Sequence, residues 1–216
     1  ETVYEQIIAI PAGHMLIVKA SGINLKRYEY AFSQNIPENL SDVEAIELTR
    51  SIVETAITDR LMSDVPVGSF LSGGLDSSIL AGLIKKEFKR NITSFSLIDQ
   101  SKYNEEKLIN DTQNFLDLKT NKIKIKYKNF LENLKSTIDY HNEPISTITY
   151  FVQNFLMKEV GKSKFKVIMS GTGADELFTG YYDHFLQFFS TIQNKKKRNL
   201  SINEWKKFVL PIIKNK

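Results

Sequence analysis

The 216-residue chain contains no cysteine. Disulfides, thiolate metal sites and a cysteine nucleophile are therefore excluded within it. It also lacks an apolar run long enough to cross a bilayer, and it shows no signal-peptide pattern. No membrane partner is expected, and the expected location is cytoplasmic. A nucleic-acid surface is not expected either. The net charge is only +4, and the lysines are scattered rather than striped with aromatic residues. The one dense basic run, Lys195-Lys196-Lys197-Arg198, reads as a solvated loop flanked by Asn194 and Asn199. There is no internal repeat, and no low-complexity block beyond a Lys/Asn/Ile bias. The chain opens on Glu1 and ends on Lys214-Asn215-Lys216, which reads as a piece of a longer protein.

What is present centres on Val65 to Ser78, VPVGSFLSGGLDSS. A short apolar run leads through two glycines into a segment where Ile79, Leu80, Leu83, Ile84 and Phe88 recur at helical spacing. A strand that turns through glycines into a helix start presents outward-pointing amides, and the helix dipole there favours negative charge. Gly73 and Gly74 admit close approach of an oxygen cluster, while Ser72, Ser77 and Ser78 add hydroxyls. Asp76 has the wrong sign for an anion site unless a cation lies between, which brings Mg²⁺ into the expectation. A Walker loop would need a Lys followed by Ser or Thr, and none is present. The pattern Ser-Gly-Gly-x-Asp-Ser instead resembles the loop of the ATP pyrophosphatases. As a plain strand-to-helix turn, the loop would not need the serines and the aspartate together.

Along the chain, residues 1–31 alternate as strands, with Ile7 to Ile10 as the first, a turn at Pro11-Ala12-Gly13, a second strand through Met15 to Val18, and a turn at Ser21-Gly22. Residues 32–41 have linker composition. Ser41-Asp42-Val43-Glu44 is a capping box, opening a helix with Val43, Ile46, Val53, Ala56, Ile57 and Leu61 on one side. After the glycine loop come a strand from Ile92 to Ile98, a helix from Asn104 to Leu116, and a strand from Lys122 to Tyr127. A helix from Asn129 to Tyr140, another from Thr149 to Val160 and a strand from Phe165 to Met169 complete the alternation. This order predicts an α/β domain over 42–216: a parallel sheet with helices on both faces, preceded by a short antiparallel β remnant. Ligands of such sheets bind at the carboxyl ends of the strands, where the order reverses.

The last of these strands leads into SGTGADELFTGY, Ser170 to Tyr181. Gly171 and Gly173 again permit close approach, and Asp175 is a second carboxylate able to share a metal with Asp76. Taken alone, Asp175-Glu176 would be an ordinary acidic pair at a helix start. Beside the first loop, Asp175 reads as a metal ligand, and Glu176 stays open between support and structure.

At these residues the chain resembles the synthetase half of the glutamine-hydrolysing asparagine synthetases. Val65 to Ser78 and Ser170 to Tyr181 carry the two signature stretches. Ile10-Pro11-Ala12-Gly13-His14 with Arg27-Tyr28 resembles the end of that family's glutaminase domain. Ser94-Phe95-Ser96, Tyr103-Asn104-Glu105 and Glu143-Pro144 match in order, so the likeness covers nearly the whole chain. It implies an adenine-nucleotide alpha-hydrolase fold of the ATP-pyrophosphatase type, with ATP and Mg²⁺ as cofactors. The implied reaction adenylates a small-molecule carboxylate, aspartate by default, and transfers ammonia from a glutaminase domain that this chain does not contain. Ser72, Gly73, Gly74, Asp76 and Ser77 would hold pyrophosphate and metal, Asp175 would be the second metal ligand, and main-chain groups of Leu71, Leu97 and Gly171 would meet the adenosine.

Two departures bear on the activity. Relatives usually carry Glu where this chain has Thr172, and that Glu is held to take a proton from the attacking ammonia. A threonine hydroxyl is no base near neutral pH. The family's later basic residues, which clamp the leaving pyrophosphate, also lie beyond the last residue, so the piece alone is expected to be inactive or weak. Thr172 keeps another acceptor in view, such as a sugar uronic acid in surface-polysaccharide synthesis. Less favoured alternatives are a tRNA-modifying ATP pyrophosphatase and a degenerate nucleotide-binding module. A homodimer is one assembly left open.

Overall fold

The computed structural model describes residues 2–28, 40–98, 104–125 and 127–211. The expected linker over 32–41, apart from its last two residues, falls outside this set, as do Glu29, Tyr30 and Tyr103. The chain divides into two compact units: Glu1–Asp64 with Ile123–Lys164, and Val65–Lys122 with Phe165–Lys216.

In the first unit, β1 (His14–Lys19) and β2 (Gly22–Arg27) form an antiparallel hairpin. The turns at Gly13 and Gly22 both use the left-handed backbone that glycine tolerates, with φ of 71° and 133°. The expected earlier strand through Ile7–Ile10 does not form. Thr2 Oγ1 donates to the carbonyls of Tyr4 and Ile7 at 3.1 and 2.6 Å, and Gln6 turns to φ 67°. That local bonding holds the backbone in turns instead of a ladder. Helix α1 (Asp42–Arg60) starts at the expected capping box: the Glu44 amide donates to Ser41 Oγ, while the Ser41 amide donates back to the Glu44 carboxylate at 2.8 Å. Its expected apolar side is buried only at Ile57 and at the capping Leu61, while Val43 and Ile46 are exposed. Helices α4 (Phe130–His141) and α5 (Ile148–Gly161) pack through the Phe130 and Phe151 rings. Asn154 donates to the fully buried Thr137 hydroxyl at 2.7 Å.

The second unit carries β3 (Val67–Phe70), α2 (Leu75–Gly82), one π-helical turn (Leu83–Glu87), β4 (Thr93–Ile98), α3 (Glu106–Leu116), β6 (Val167–Met169), α6 (Ala174–Phe178), α7 (Tyr182–Thr191) and α8 (Lys195–Phe208). The strand β5 (Lys119–Lys124) completes a four-stranded sheet of order β5-β4-β3-β6. It begins earlier than the expected Lys122 because Asp117 adopts a left-handed φ of 50° and ends α3 abruptly. Strand β3 pairs parallel with both β4 and β6. The α/β class and parallel sheet read from the sequence are therefore observed. The core gathers Leu71, Leu80, Ala81, Ile84, Phe95, Ile98, Ile109 and Leu116. Among these apolar groups the buried Ser69 and Ser94 hydroxyls satisfy each other at 3.0 Å, as burial demands.

Lys195–Arg198 is not the expected loop. Asn194 accepts the amides of Lys196 and Lys197 at 3.0 and 3.1 Å and caps α8, so the flanking asparagine starts a helix there. The far turns of α8 are anchored by the buried Trp205, ringed by Tyr182, Phe185 and Phe189 of α7. No helix among the described residues is long and apolar enough to cross a membrane.

Candidate active site

The sheet order decides where the two glycine loops go. From β3 the chain steps to β4 and β5 on one side, and β6 returns to the other side of β3. The order thus reverses at β3, and parallel pairing brings the carboxyl ends of β3 and β6 side by side. The loops that follow these strands, 71–74 and 170–173, meet there.

Their contact is close. A Cβ placed on Gly171 would lie 2.9 Å from Asp76 Cβ and 3.0 Å from the Ser77 nitrogen. Only glycine lets the second loop rest against the first turn of α2. Between the loops is a cavity of about 320 Å³. The first loop contributes Phe70, Ser72, Asp76 and Ser77 to its wall; the second contributes Ser170, Gly171, Thr172, Gly173, Asp175 and Glu176, with Tyr181 beside them.

The first loop is tied to itself. Ser77 Oγ accepts the Ser72 amide at 3.1 Å and lies 3.0 Å from the Ser72 hydroxyl, which in turn accepts the Gly74 amide at 3.1 Å. The Gly73 amide donates to Glu105 Oε2 at 3.2 Å. Helix α2 starts with no side-chain cap, and Asp76 stands in its first turn. In the second loop Gly173 takes φ 99° and opens α6, whose first turn holds Asp175 and Glu176. The Tyr181 hydroxyl donates to Glu176 Oε1 at 2.9 Å, and the Thr172 and Ser170 hydroxyls are paired at 2.7 Å.

The electrostatics follow from three carboxylates around one cavity. Burial, and then the charges of Asp175 and Glu176, push the Asp76 carboxyl above its ordinary value. Glu176 is held low by its own backbone amide and then by the Tyr181 hydroxyl, and that same hydrogen bond pushes the Tyr181 phenol up. No Lys, Arg or His among the described residues lines the cavity. Among the described residues no three His, Cys, Asp or Glu side chains form a group that could hold a metal ion by themselves. The donor set fits the other mode, in which Mg²⁺ takes one or two carboxylates and leaves its remaining positions to phosphate oxygens and water.

Of the residues singled out from sequence, Ser72, Asp76, Ser77, Gly171, Thr172 and Asp175 share this cavity. Gly73, Gly74, Leu71 and Leu97 do not line it. The Gly73 and Gly74 amides are engaged as described. The Leu71 amide donates to the Phe95 carbonyl at 3.0 Å, and the Leu71 carbonyl accepts the Ser96 hydroxyl at 2.6 Å. Gly173, expected to permit close approach, lines the wall as well; Phe70, Ser170 and Tyr181 join it without having been singled out, and Glu176, left open, joins it too. Their signal in the sequence was adjacency to the two loops.

The family model for asparagine synthase matches residues 48–210. The chain is 29% identical over 175 residues to asparagine synthetase (glutamine-hydrolysing) 1 of Bacillus subtilis, a match covering 80% of this chain and 27% of that protein. It is 28% identical over 204 residues to asparagine synthetase (glutamine-hydrolysing) 3 of Arabidopsis thaliana, covering 89% of this chain and 34% of that one. The chain thus spans about a third of the length of the curated relatives it matches. Similarity to solved structures is looser. The NH3-dependent NAD synthetase of Campylobacter jejuni superposes with a TM-score of 0.40 at 18% identity, over 66% of this chain and 62% of that one.

Proposed function

The chain belongs to the asparagine synthase family, and from that premise we propose that it is the ATP-using part of an amide-forming ligase. In the proposed reaction a carboxylate oxygen attacks the α-phosphorus of ATP, giving an acyl-adenylate and pyrophosphate. Ammonia then adds to the acyl carbon and AMP leaves. Aspartate is the proposed acceptor and asparagine the product, with glutamine hydrolysis in a glutaminase domain as the ammonia source. The observation that carries this reading is the meeting of Asp76 and Asp175 on one cavity at the tips of β3 and β6.

In this reading Asp76 and Asp175 hold Mg²⁺. Bound there, Mg²⁺ supplies positive charge against phosphate oxygens that would otherwise face three carboxylates. The Ser72 and Ser77 hydroxyls and the uncapped start of α2 supply donors already fixed in place. Their orientation is set before the nucleotide arrives, which is how preorganised donors favour charge building on phosphoryl oxygens. Gly171 keeps the second loop against the first, so both aspartates stay around the same cavity.

One observation favours a second acceptor. The family resemblance implies a glutamate base at the position of Thr172, whose hydroxyl is paired with Ser170. A sugar uronic acid therefore remains the alternative acceptor. Exchange of labelled pyrophosphate into ATP by the full-length protein tests both readings. Exchange that depends on aspartate supports the first, and exchange only with a uronic acid supports the second. No exchange with any carboxylic acid overturns both.

A further inference from the structure

Gly73 belongs to the loop assigned above to the nucleotide, yet it does not line the cavity. Its amide is bonded to the carboxylate of Glu105, 32 residues later in the chain. The contact is built at more than one atom. A Cβ on Gly73 would lie 2.8 Å from Glu105 Cβ and 3.1 Å from Leu108 Cβ, so the loop rests directly on the start of α3. Neither of those atoms is the swinging end of a side chain.

The support beneath is rigid. Asn104 Oδ1 accepts the Glu106 amide at 2.9 Å and fixes the entry to α3. The Glu105 carbonyl accepts the Ile109 amide at 3.0 Å, and Ile109 is 1% exposed. A second tie between the two elements runs from Ser78 Oγ to Thr112 Oγ1 at 3.4 Å.

We infer that Glu105 is a positioning residue for the nucleotide loop. It grips the Gly73 amide, outside the cavity lining, so that Ser72 and Ser77 hold their hydroxyls on the cavity wall. This rests on the reading of that cavity as the ATP site. A loop of adjacent glycines has many backbone conformations to lose when it binds, and one anchored amide removes much of that freedom beforehand.

The test uses the full-length protein with Glu105→Ala and Glu105→Gln, since glutamine keeps an acceptor oxygen. Two quantities are read: hydrogen exchange of the Gly73 amide by NMR, and the Kd for MgATP by calorimetry. Glu105→Ala should speed Gly73 exchange roughly tenfold and weaken MgATP about fivefold to tenfold, the worth of one amide bond. Glu105→Gln should stay within about twofold of wild type in both. Unchanged Gly73 exchange in Glu105→Ala overturns the inference. So does a Glu105→Gln as weak as Glu105→Ala, or a tighter Kd in either variant, because the carboxylate would then be competing with phosphate. If the wild type binds no MgATP while Gly73 exchange still responds, the ATP reading fails and the positioning role falls with it.

Discussion

Gly180→Ala separates the function of Asp175 from the stability of the fold. Gly180 has no positive φ, so alanine is admissible to its backbone, and its amide keeps its bond to the Asp175 carbonyl at 2.9 Å. The added methyl would overlap Asp175 Oδ1 and lie 2.6 Å from its Cγ. The carboxylate is the free end of a side chain and can rotate away, while Asp175 Cβ, at 3.0 Å from the methyl, must give by a few tenths of an ångström. Leaving its preferred rotamer costs about 0.5–1.5 kcal/mol. Replacing glycine lowers unfolded-state entropy, which contributes about 0.4–1 kcal/mol in the opposite direction. The two nearly cancel, so the thermal midpoint should shift by only a few degrees. Binding should not be spared. A contact to a charged partner is worth about 1.5–3 kcal/mol, so losing it weakens MgATP about tenfold to a hundredfold. Calorimetry on the full-length protein, paired with a melt of the same sample, measures both effects. In an Asp175→Ala background Gly180→Ala should add nothing further to the loss of affinity, since both act on one carboxylate. Unchanged affinity in a folded Gly180→Ala protein would refute the proposed role of Asp175 in holding Mg²⁺, and a collapse of the fold would refute the cheap rotation.

Asp76→Asn should abolish Mg²⁺-dependent ATP binding yet raise the ligand-free melting temperature at pH 7. The sign follows from the carboxyl being held above its ordinary value of 3.8 by burial and by Asp175 and Glu176. The folded protein binds the proton more readily, so wild-type stability falls as pH rises through that window, and the advantage of Asn should vanish once pH drops below 3.8. Melts of both proteins between pH 7 and pH 3.5 check this, and a gap independent of pH would contradict it. Ser41→Ala should cost about 0.5–2 kcal/mol by denaturant unfolding while leaving MgATP affinity alone. Glu44, which Ser41 holds below its ordinary 4.5, contributes stability present above that value and lost as pH falls through the lowered one, so the variant should also lose part of this acid-limb slope. Gly82→Ala meets nothing within 4 Å in a helical stretch, and should stabilise by about 0.4–1 kcal/mol in the same assay.

These residues differ in how visible they are before folding. Ser41-Asp42-Val43-Glu44 and Ser72 to Ser77 could be read directly because their chemistry is local: cap, turn and helix start follow within a few residues. The neighbouring of β3 and β6 is not local. Ser69 pairs with Met169 in register, and nothing within either loop states that the other lies beside it; strand order and motif resemblance had to supply that. Glu105 was hidden for the same reason, being an ordinary helix-start acid until Gly73 is brought against it. The strand expected at Ile7–Ile10 failed in the opposite way, because local side-chain bonding from Thr2 outweighed an alternating pattern. Lys195–Arg198 misled because four like charges in a first helical turn oppose the dipole, and the Asn194 cap and the Trp205 anchor prevail over that penalty.

Asp175 and Glu176 show how magnitude decides between a local and a distant role. As an acidic pair in a first helical turn they fit the dipole rule, and the structure does place them there. Yet α6 is five residues long, too short for its dipole to give the full 0.3–1 kcal/mol that a carboxylate gains at a longer helix. Against that small gain stands a cost on the facing loop, where both acids push Asp76 toward its protonated form. In the ligand-free protein the pair therefore adds to the burial that already raises the Asp76 carboxyl. The proposed Mg²⁺ between Asp76 and Asp175 would reverse the balance, because the same charges that repel one another would then attract a common partner.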